Sequence, residues 1–232
     1  MAPVVLAVDV GGSHVKALAS NRRERRRFDS GGSLTPEQMV AGTLEAVTGW
    51  RWSRVTVGIP APVRAGKVVS EPVNLGDGWV GFDFEAGFGK PTQVVNDAVM
   101  QAVGSYQGGR MLFLGLGTGL GSAMIADGVI EPLELGHLPY RKKTFEDYVG
   151  ERGLKKRGKK KWTKDVFAAV EHLSAAMEPD EVVLGGGGVD DLEELPEGCR
   201  RGENENAFLG GFRLWDPDWS SKLTGPSSMR TP

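Results

Sequence analysis

The sequence predicts an α/β protein built from two similar lobes. Short, β-branched apolar runs alternate with segments of helical periodicity, and several of these runs end at a cluster of glycines. One unit, consisting of a strand, a glycine turn and a second strand, occurs twice, at 4–19 and at 111–127. We therefore expect a first lobe over 1–107 and a second lobe over 108–215.

The individual elements follow from the same patterns. Residues 3–10 and His14 to Ala19 predict a hairpin, and Thr35-Pro36-Glu37 is typical of a helix start, with the helix running to about Gly49. The basic run at 151–161 is interpreted as a linker. Further strands are predicted at 55–59, 67–70, 93–95, 111–116, 122–126 and 182–184, and helices at 98–106, 145–149, 162–177 and 206–215.

The two ends of the chain carry separate expectations. The last helix, 206–215, can pack back on the first lobe. The tail 216–232 is rich in Ser, Thr, Pro and Asp, and we expect it to be disordered. The apolar start of the chain lacks a basic leader and a cleavage site, so the sequence predicts a cytoplasmic protein with no signal peptide.

Composition excludes several classes of function. The net charge of -2 disfavours general nucleic-acid binding through a basic surface. One cysteine, Cys199, excludes an internal disulfide, and with three histidines it leaves little material for a structural zinc site. Because no stretch approaches the ~20 apolar residues of a membrane helix, no membrane contact is expected.

Three glycine-rich turns can hold phosphate groups. Glycines let backbone N–H groups close around phosphate oxygens, a serine adds a hydroxyl donor, a lysine adds a point charge, and a carboxylate at a strand end can hold Mg²⁺. Each turn, taken alone, is equally consistent with an ordinary tight hairpin or a flexible turn. The candidate donor-binding residues are Asp9, Gly11, Gly12, Ser13, Lys16, Gly117, Thr118, Gly119, Gly185, Gly186 and Gly187.

Two further motifs carry polar groups suited to a sugar. Asp97, between a strand and a helix, can accept a hydroxyl proton while Asn96 anchors a neighbouring hydroxyl, although the pair taken alone is more typical of a helix N-cap. Glu134 and His137 can hydrogen-bond a polyol, with a structural histidine as the alternative. The basic run 155–161 is either a solvated surface or a docking track for a polyanion.

The order of these motifs resembles the ROK family (repressors, open reading frames and kinases) as far as about Trp215. Asp-x-Gly-Gly-Ser-x-x-Lys at 9–16 is followed by Asn-Asp at 96–97, Gly-Thr-Gly-x-Gly at 117–121, and Glu-x-Gly-His at 134–137. Within the family the chain is similar to the polyphosphate glucokinase branch. The stretches that carry this similarity are 131–140, 144–150 and 206–215.

The resemblance implies an actin-like (ribonuclease H-like) two-lobed fold with a duplicated βββαβα-type core and a sugar in its cleft. It assigns the general base to Asp97 and the glucose ligands to Asn96, Glu134, His137 and Glu146. It places the phosphates of polyphosphate or ATP between the loops 9–16 and 117–121, with Mg²⁺ near Asp9. The implied activity is phosphorylation of the glucose 6-hydroxyl, by a homodimer.

The chain also departs from the family, and other functions stay open. The segment 141–144, after the Glu-x-Gly-His motif, has no cysteine, so we expect no zinc site, and the first lobe begins at residue 3, so we expect no DNA-binding helix-turn-helix. One alternative is an ATP-dependent hexokinase acting on glucose, mannose, fructose or N-acetylmannosamine. Another is a non-catalytic sugar sensor, against which the presence of Asp97 and Lys16 argues.

Overall fold

The computed structural model describes residues 3–203, 205–217 and 219, and it divides the chain into two compact units. The first unit contains the residues up to Gly104 and those from Ala207 onward, and the second contains Ser105–Asn206. Apart from Asp216, Pro217 and Trp219, the tail predicted over 216–232 lies outside the described residues.

The first unit is built on a five-stranded mixed sheet. Its strand order is β3-β2-β1-β4-β7, with β1–β2 and β2–β3 antiparallel and β1–β4 and β4–β7 parallel. A separate two-stranded hairpin is formed by β5 and β6. The strands are β1 (Val5–Val10), β2 (His14–Ala19), β3 (Arg26–Asp29), β4 (Arg54–Ile59), β5 (Val63–Arg64), β6 (Lys67–Val68) and β7 (Thr92–Asn96).

Burial explains why these strands lie where they do. β1 and β4 are apolar and almost wholly buried, as central strands covered on both faces must be, whereas β2 alternates buried and partly exposed residues. The predicted hairpin of β1 and β2 is confirmed. The arginine-rich segment after it forms the exposed edge strand β3, where charged side chains face water and discourage pairing with another chain.

Three helices complete the first part of this unit. They are α1 (Pro36–Ala46), α2 (Phe84–Phe88) and α3 (Asp97–Ser105). Thr35 caps α1 through a capping box with Gln38, and Pro36 occupies the first turn, so the predicted start is confirmed. Met39 and Val40 of α1 are buried in the same core cluster as Leu6, Val57 and Trp79.

The second unit contains a sheet with the corresponding order, β10-β9-β8-β13-β14. Again two hairpin pairs are antiparallel and two pairs are parallel, which is the pattern expected of the duplicated unit. A small antiparallel pair, β11 and β12, stands apart. The strands are β8 (Arg110–Leu116), β9 (Leu120–Ala126), β10 (Val129–Leu133), β11 (Pro139–Tyr140), β12 (Lys143–Thr144), β13 (Glu181–Gly185) and β14 (Cys199–Arg201).

The linker predicted over 151–161 is wrong, because this segment is helical. The helices of the second unit are α4 (Phe145–Val149), α5 (Glu151–Arg157) and α6 (Lys159–Met177). Lysine and arginine are good helix formers, so a dense basic run does not by itself prevent a helix. The break comes at Gly158 alone, whose φ of 74° lies in a region that favours glycine.

The chain returns to the first unit through α7 (Asn206–Arg213). Thr56 of β4 is fully buried, and its hydroxyl donates to the carbonyl of Gly211 at 2.7 Å while accepting from the indole N–H of Trp215 at 2.9 Å. These two bonds fix the helix on the sheet. No helix in the described parts of the chain has the length and apolar character needed to cross a membrane.

Candidate active site

The carboxyl ends of the parallel strands collect the polar candidates of the first unit. Asp9 of β1 pairs in register with Gly58 of β4, and Gly58 pairs with Val95 of β7, next to Asn96. With neighbouring strands about 4.8 Å apart, the backbones at Asp9 and at the end of β7 lie about 10 Å from each other. The end of β1 and the start of α3 therefore contribute to one edge of the sheet.

Asp9 and Lys16 face each other across the β1–β2 hairpin. They are register partners, and the Lys16 ammonium lies 3.5 Å from Asp9 Oδ2. The side chain of Asp9 is only 14% exposed. Burial raises the pKa of the Asp9 carboxyl above its ordinary value, and the nearby Lys16 partly offsets this increase.

The turn of this hairpin is tight, and Ser30 stabilises it through two hydrogen bonds. The N–H of Gly11 donates to the carbonyl of His14 at 3.0 Å. Ser30, after β3, donates its hydroxyl to the carbonyl of Gly11 at 2.7 Å and its N–H to the carbonyl of Ser13 at 3.1 Å. Ser13 is exposed at the tip. The turn is thus fixed through its carbonyls.

Asn96 and Asp97 lie at the junction of β7 and α3, as the sequence predicts. The amide oxygen of Asn96 accepts from the N–H groups of Ala98 and Val99 at 2.9 and 3.3 Å, while its amide nitrogen donates to the carbonyl of Ala61. The capping role considered from the sequence is therefore present for Asn96. Asp97 also accepts from the N–H of Ala98, at 2.8 Å, and both side chains are partly exposed.

In the second unit, the structure brings Glu134, His137 and Glu146 together. His137 Nε2 lies 4.0 Å from Glu146 Oε1. Partial desolvation raises the pKa of the Glu134 carboxyl, with His137 opposing the increase and Glu146 adding to it. The three side chains form a cluster of two carboxylates and an imidazole that can hydrogen-bond several hydroxyls.

Two local devices hold this cluster in place. The buried hydroxyl of Ser122 accepts from the N–H of Leu135 and donates to the carbonyl of Leu133, so it fixes both sides of Glu134. Asp147 accepts from the hydroxyl and the N–H of Thr144, forming the capping box that starts α4. These hydrogen bonds lower the pKa of the Asp147 carboxyl.

Neither Ser122 nor Asp147 was among the candidates from the sequence. The spacing of Thr144 and Asp147, three residues apart before an apolar run, is a signal that could have found the capping box. Ser122 offered no comparable signal, because its role depends on the pairing of β9 with β10, which places Leu133 opposite it.

The loop 117–119 between β8 and β9 adjoins the cluster. A Cβ at Gly119 would lie 2.7 Å from Glu146 Oε2, so only a glycine allows this approach without a shift. The carbonyl of Gly117 accepts from the N–H of Glu151, at the start of α5, at 2.9 Å. Gly117 and Thr118 are exposed. The loop therefore links the Glu146 cluster to α5.

The turn after β13 lies beside the same loop. Gly185 pairs in register with Gly115 of β8, and a Cβ at Gly186 would collide with the carbonyl oxygen of Leu116. The exposed Gly187 follows directly. The turns 117–119 and 185–187, predicted from separate glycine clusters, thus lie at the ends of neighbouring parallel strands.

The charged groups allow only a sparse magnesium site. Among the described residues, no group of three or more His, Cys, Asp or Glu side chains could hold a metal ion. Asp9 supplies one carboxylate, with an ammonium 3.5 Å away. This fits an ion such as Mg²⁺, which typically takes one or two carboxylates and completes its shell with water and substrate phosphates.

Comparisons with known proteins identify relatives of this chain. No family model matches the chain. It is 29% identical over 203 residues to the polyphosphate glucokinase of Mycobacterium tuberculosis, covering 78% of this chain and 76% of that protein.

Two solved structures show the same fold. The inorganic polyphosphate/ATP-glucomannokinase from Arthrobacter sp. strain KM superposes with a TM-score of 0.79 at 24% identity, over 90% of this chain and 97% of that one. The ROK family glucokinase from Streptomyces griseus, in complex with glucose and AMPPNP, gives a TM-score of 0.75 at 17% identity, over 91% and 98%. The expected actin-like α/β fold is confirmed, as is the resemblance to the ROK polyphosphate glucokinases.

Proposed function

We propose that this chain, a relative of the polyphosphate glucokinases with the fold of the ROK sugar kinases, transfers a phosphoryl group from polyphosphate or ATP to the 6-hydroxyl of glucose. The observation that carries the proposal is the meeting of Glu134, His137 and Glu146 beside the glycine loop at Gly119. A site for sugar hydroxyls next to a glycine loop that can bind phosphate is the arrangement that a sugar kinase requires.

Glucose is held by the carboxylate and imidazole cluster in this proposal. Glu134 and Glu146 accept hydrogen bonds from sugar hydroxyls, and His137 donates or accepts according to its tautomer. Partial desolvation raises the pKa of the Glu134 carboxyl, and hydroxyl donors of the sugar would replace the hydrogen bonds to water that the carboxylate loses. Asn96 contributes to sugar binding with the hydrogen-bonding capacity of its amide that the N-cap of α3 and the carbonyl of Ala61 do not use.

Asp97 is the proposed general base. It accepts the proton of the glucose 6-hydroxyl as that oxygen forms a bond to the terminal phosphorus of the donor. The bond from this phosphorus to the rest of the donor breaks, leaving ADP or a polyphosphate chain that is shorter by one phosphate. General-base assistance of this kind contributes about 10²- to 10⁴-fold in rate.

The donor phosphates are assigned to the glycine turns. Gly12 and Ser13 offer backbone and hydroxyl donors, and Thr118 and Gly119 offer a second set. Gly11 and Gly117 shape the two turns, since their N–H groups donate to the carbonyls of His14 and Gly119. Lys16 adds a positive charge, and the turn at 185–187 can carry either more phosphate or an adenine. Asp9 would hold Mg²⁺, which when bound would neutralise negative charge on the transferring group.

Two alternatives remain distinct from this proposal. A strictly ATP-dependent hexokinase keeps Asp97 as the base but uses no polyphosphate. A sugar sensor binds glucose and transfers nothing. The cytoplasmic location and the homodimer stay predictions that accompany the proposal.

The experiment is a product assay on the purified chain. Glucose and Mg²⁺ are supplied with either long-chain polyphosphate or ATP, and glucose 6-phosphate is measured. The proposal predicts product that depends on glucose and on the donor, with polyphosphate accepted. Product from ATP alone selects the hexokinase alternative, and glucose binding without product from either donor selects the sensor.

A further inference from the structure

Helices α5 and α6 carry a concentration of positive charge that the proposed chemistry does not use. Between residues 151 and 165 there are eight lysines and arginines and only two carboxylates, in a chain whose net charge is -2. All of these cations except Arg157 are exposed. The segment is therefore a local basic surface on an otherwise slightly acidic protein.

The cations of this segment fall into two groups. Lys155 pairs with Glu151 at 2.5 Å, Arg157 with Asp165 at 2.6 Å, and Lys159 with Glu193 at 3.1 Å. Within the described part of the chain, no ion pair involves Arg152 or the remaining four lysines, and we call these four lysines the lysine patch. The lysine patch consists of Lys156, Lys160, Lys161 and Lys164.

Helical geometry places most of the patch on one side of α6. Lys160 and Lys164 are four residues apart and Lys161 and Lys164 three, so these side chains are neighbours. The opposite face of α6 is buried through Trp162, Val166 and Ala169, among others. The patch therefore faces away from the core of its unit.

The position of Lys160 and Lys161, in the first turn of α6, is unfavourable for the stability of that helix. The helix begins at Lys159, and its first turn contains no acidic residue. Cations at a helix N-terminus oppose the macrodipole, and neighbouring like charges repel one another. Residues that oppose the stability of their own helix, with no contact to compensate, are typical of functional sites.

The segment begins at the loop assigned to the donor. The N–H of Glu151 donates to the carbonyl of Gly117, and a Cβ at Gly150 would lie 2.6 Å from the carbonyl oxygen of Thr118. At 1.5 Å per residue, the seven residues of α5 extend about 10 Å from that loop to the start of α6. A linear phosphate chain held at 117–119 can reach the patch along α5.

We propose that the lysine patch binds the part of a polyphosphate chain that extends beyond the phosphates at the glycine loop. This inference rests on the proposed function. Lysines supply point charges that suit a flexible polyanion without bases. A single-stranded nucleic acid would also need exposed aromatic side chains for base stacking, and the one aromatic residue among these lysines, Trp162, is 1% exposed and donates its indole N–H to Val149.

The test compares two double variants with equal loss of charge. Lys160→Gln/Lys161→Gln removes half of the patch, and Lys67→Gln/Lys90→Gln removes two exposed lysines of the first unit. The patch variant should bind fluorescently labelled long-chain polyphosphate about 3- to 30-fold more weakly than the wild type, as expected for the loss of two exposed charge contacts. The control should bind within about twofold of the wild type, and the difference should shrink at high salt.

Kinetics and stability give independent readouts. The ratio of kcat/KM for long-chain polyphosphate to that for ATP should fall about 3- to 30-fold in the patch variant. Its Tm should rise by about 1–3 °C, because the macrodipole and charge repulsion then oppose α6 less.

Polyphosphate binding by the patch variant equal to that of the wild type would overturn the inference, as would a wild type that binds no polyphosphate. Because glucose phosphorylation from ATP is measured on the same samples, failure of the proposed function shows separately, as the absence of product from both donors.

Discussion

At Asp9 two opposing effects act on one carboxyl group. Burial in the first sheet disfavours its charged form, while the ammonium of Lys16 at 3.5 Å favours it, and burial is the larger effect. The pKa is therefore raised, which means that the ionised carboxylate costs folding free energy. Such a cost indicates that the charge of Asp9 does not serve the stability of the fold.

The Asp9→Asn variant should accordingly be more stable than the wild type at neutral pH, because the neutral amide removes the desolvated charge and the partly exposed ammonium of Lys16 stays in contact with water. A raised pKa contributes stability below the ordinary value, and this contribution is lost as the pH rises through the raised pKa. The difference between the variant and the wild type should thus vanish at low pH and grow as the pH rises.

Denaturant unfolding at a series of pH values measures this difference, with the exposed Asp77→Asn as the control. A variant that is less stable at neutral pH, or whose difference from the wild type does not change with pH, would show that Lys16 and not burial dominates at Asp9.

Among the elements, α4 to α6 depend on a buried ionic contact. Asp165 of α6 is 1% exposed and accepts from Arg157 of α5 at 2.6 Å, with Arg141 of the β11–β12 turn 3.0 Å from its other oxygen. The guanidinium groups of Arg141 and Arg157 also lie 5.6 and 5.0 Å from the ring centre of Tyr148. This arrangement ties the helix that carries Glu146 to its neighbours.

Asp165→Ala should lower the free energy of unfolding by about 2–3 kcal/mol. Breaking a buried ion pair costs about 3–5 kcal/mol, and the partial exposure of both arginines reduces that loss. Chemical denaturation measures the change. Glu193→Ala is the matched control, since its pair with Lys159 is exposed and should contribute less than about 1 kcal/mol. Equal effects in the two variants would remove the special role of Asp165.

For single strands and helices, the sequence predicts the bounds well where neighbouring residues mark them. The hairpin strand His14–Ala19 and the helix Phe145–Val149 agree with the predicted bounds to the residue, and a glycine turn precedes the strand while Gly150 follows the helix. α5 was missed, since its charge pattern resembled that of a linker. The Asp165 contact could not have been predicted, because it joins residues from a turn and two helices.

For the whole molecule, the duplicated unit was the strongest signal in the sequence. The two sheets share one strand order, and the predicted fold class is confirmed. The motifs at 9–16, 96–97 and 117–121 all lie at turns or strand ends. What the sequence alone did not reveal is which candidates contact one another, such as Gly119 and Glu146, since those contacts depend on the packing of α4.

The central claim is that this chain phosphorylates glucose with Asp97 as the base, and the most direct measurement is kcat for glucose 6-phosphate formation by the wild type and by Asp97→Asn. Glucose binding is followed calorimetrically, and Asp77→Asn serves as the control. Asp97→Asn should bind glucose but lose about 10²- to 10⁴-fold in kcat. Turnover by Asp97→Asn near the wild-type rate, or a wild type that forms no product, would contradict it.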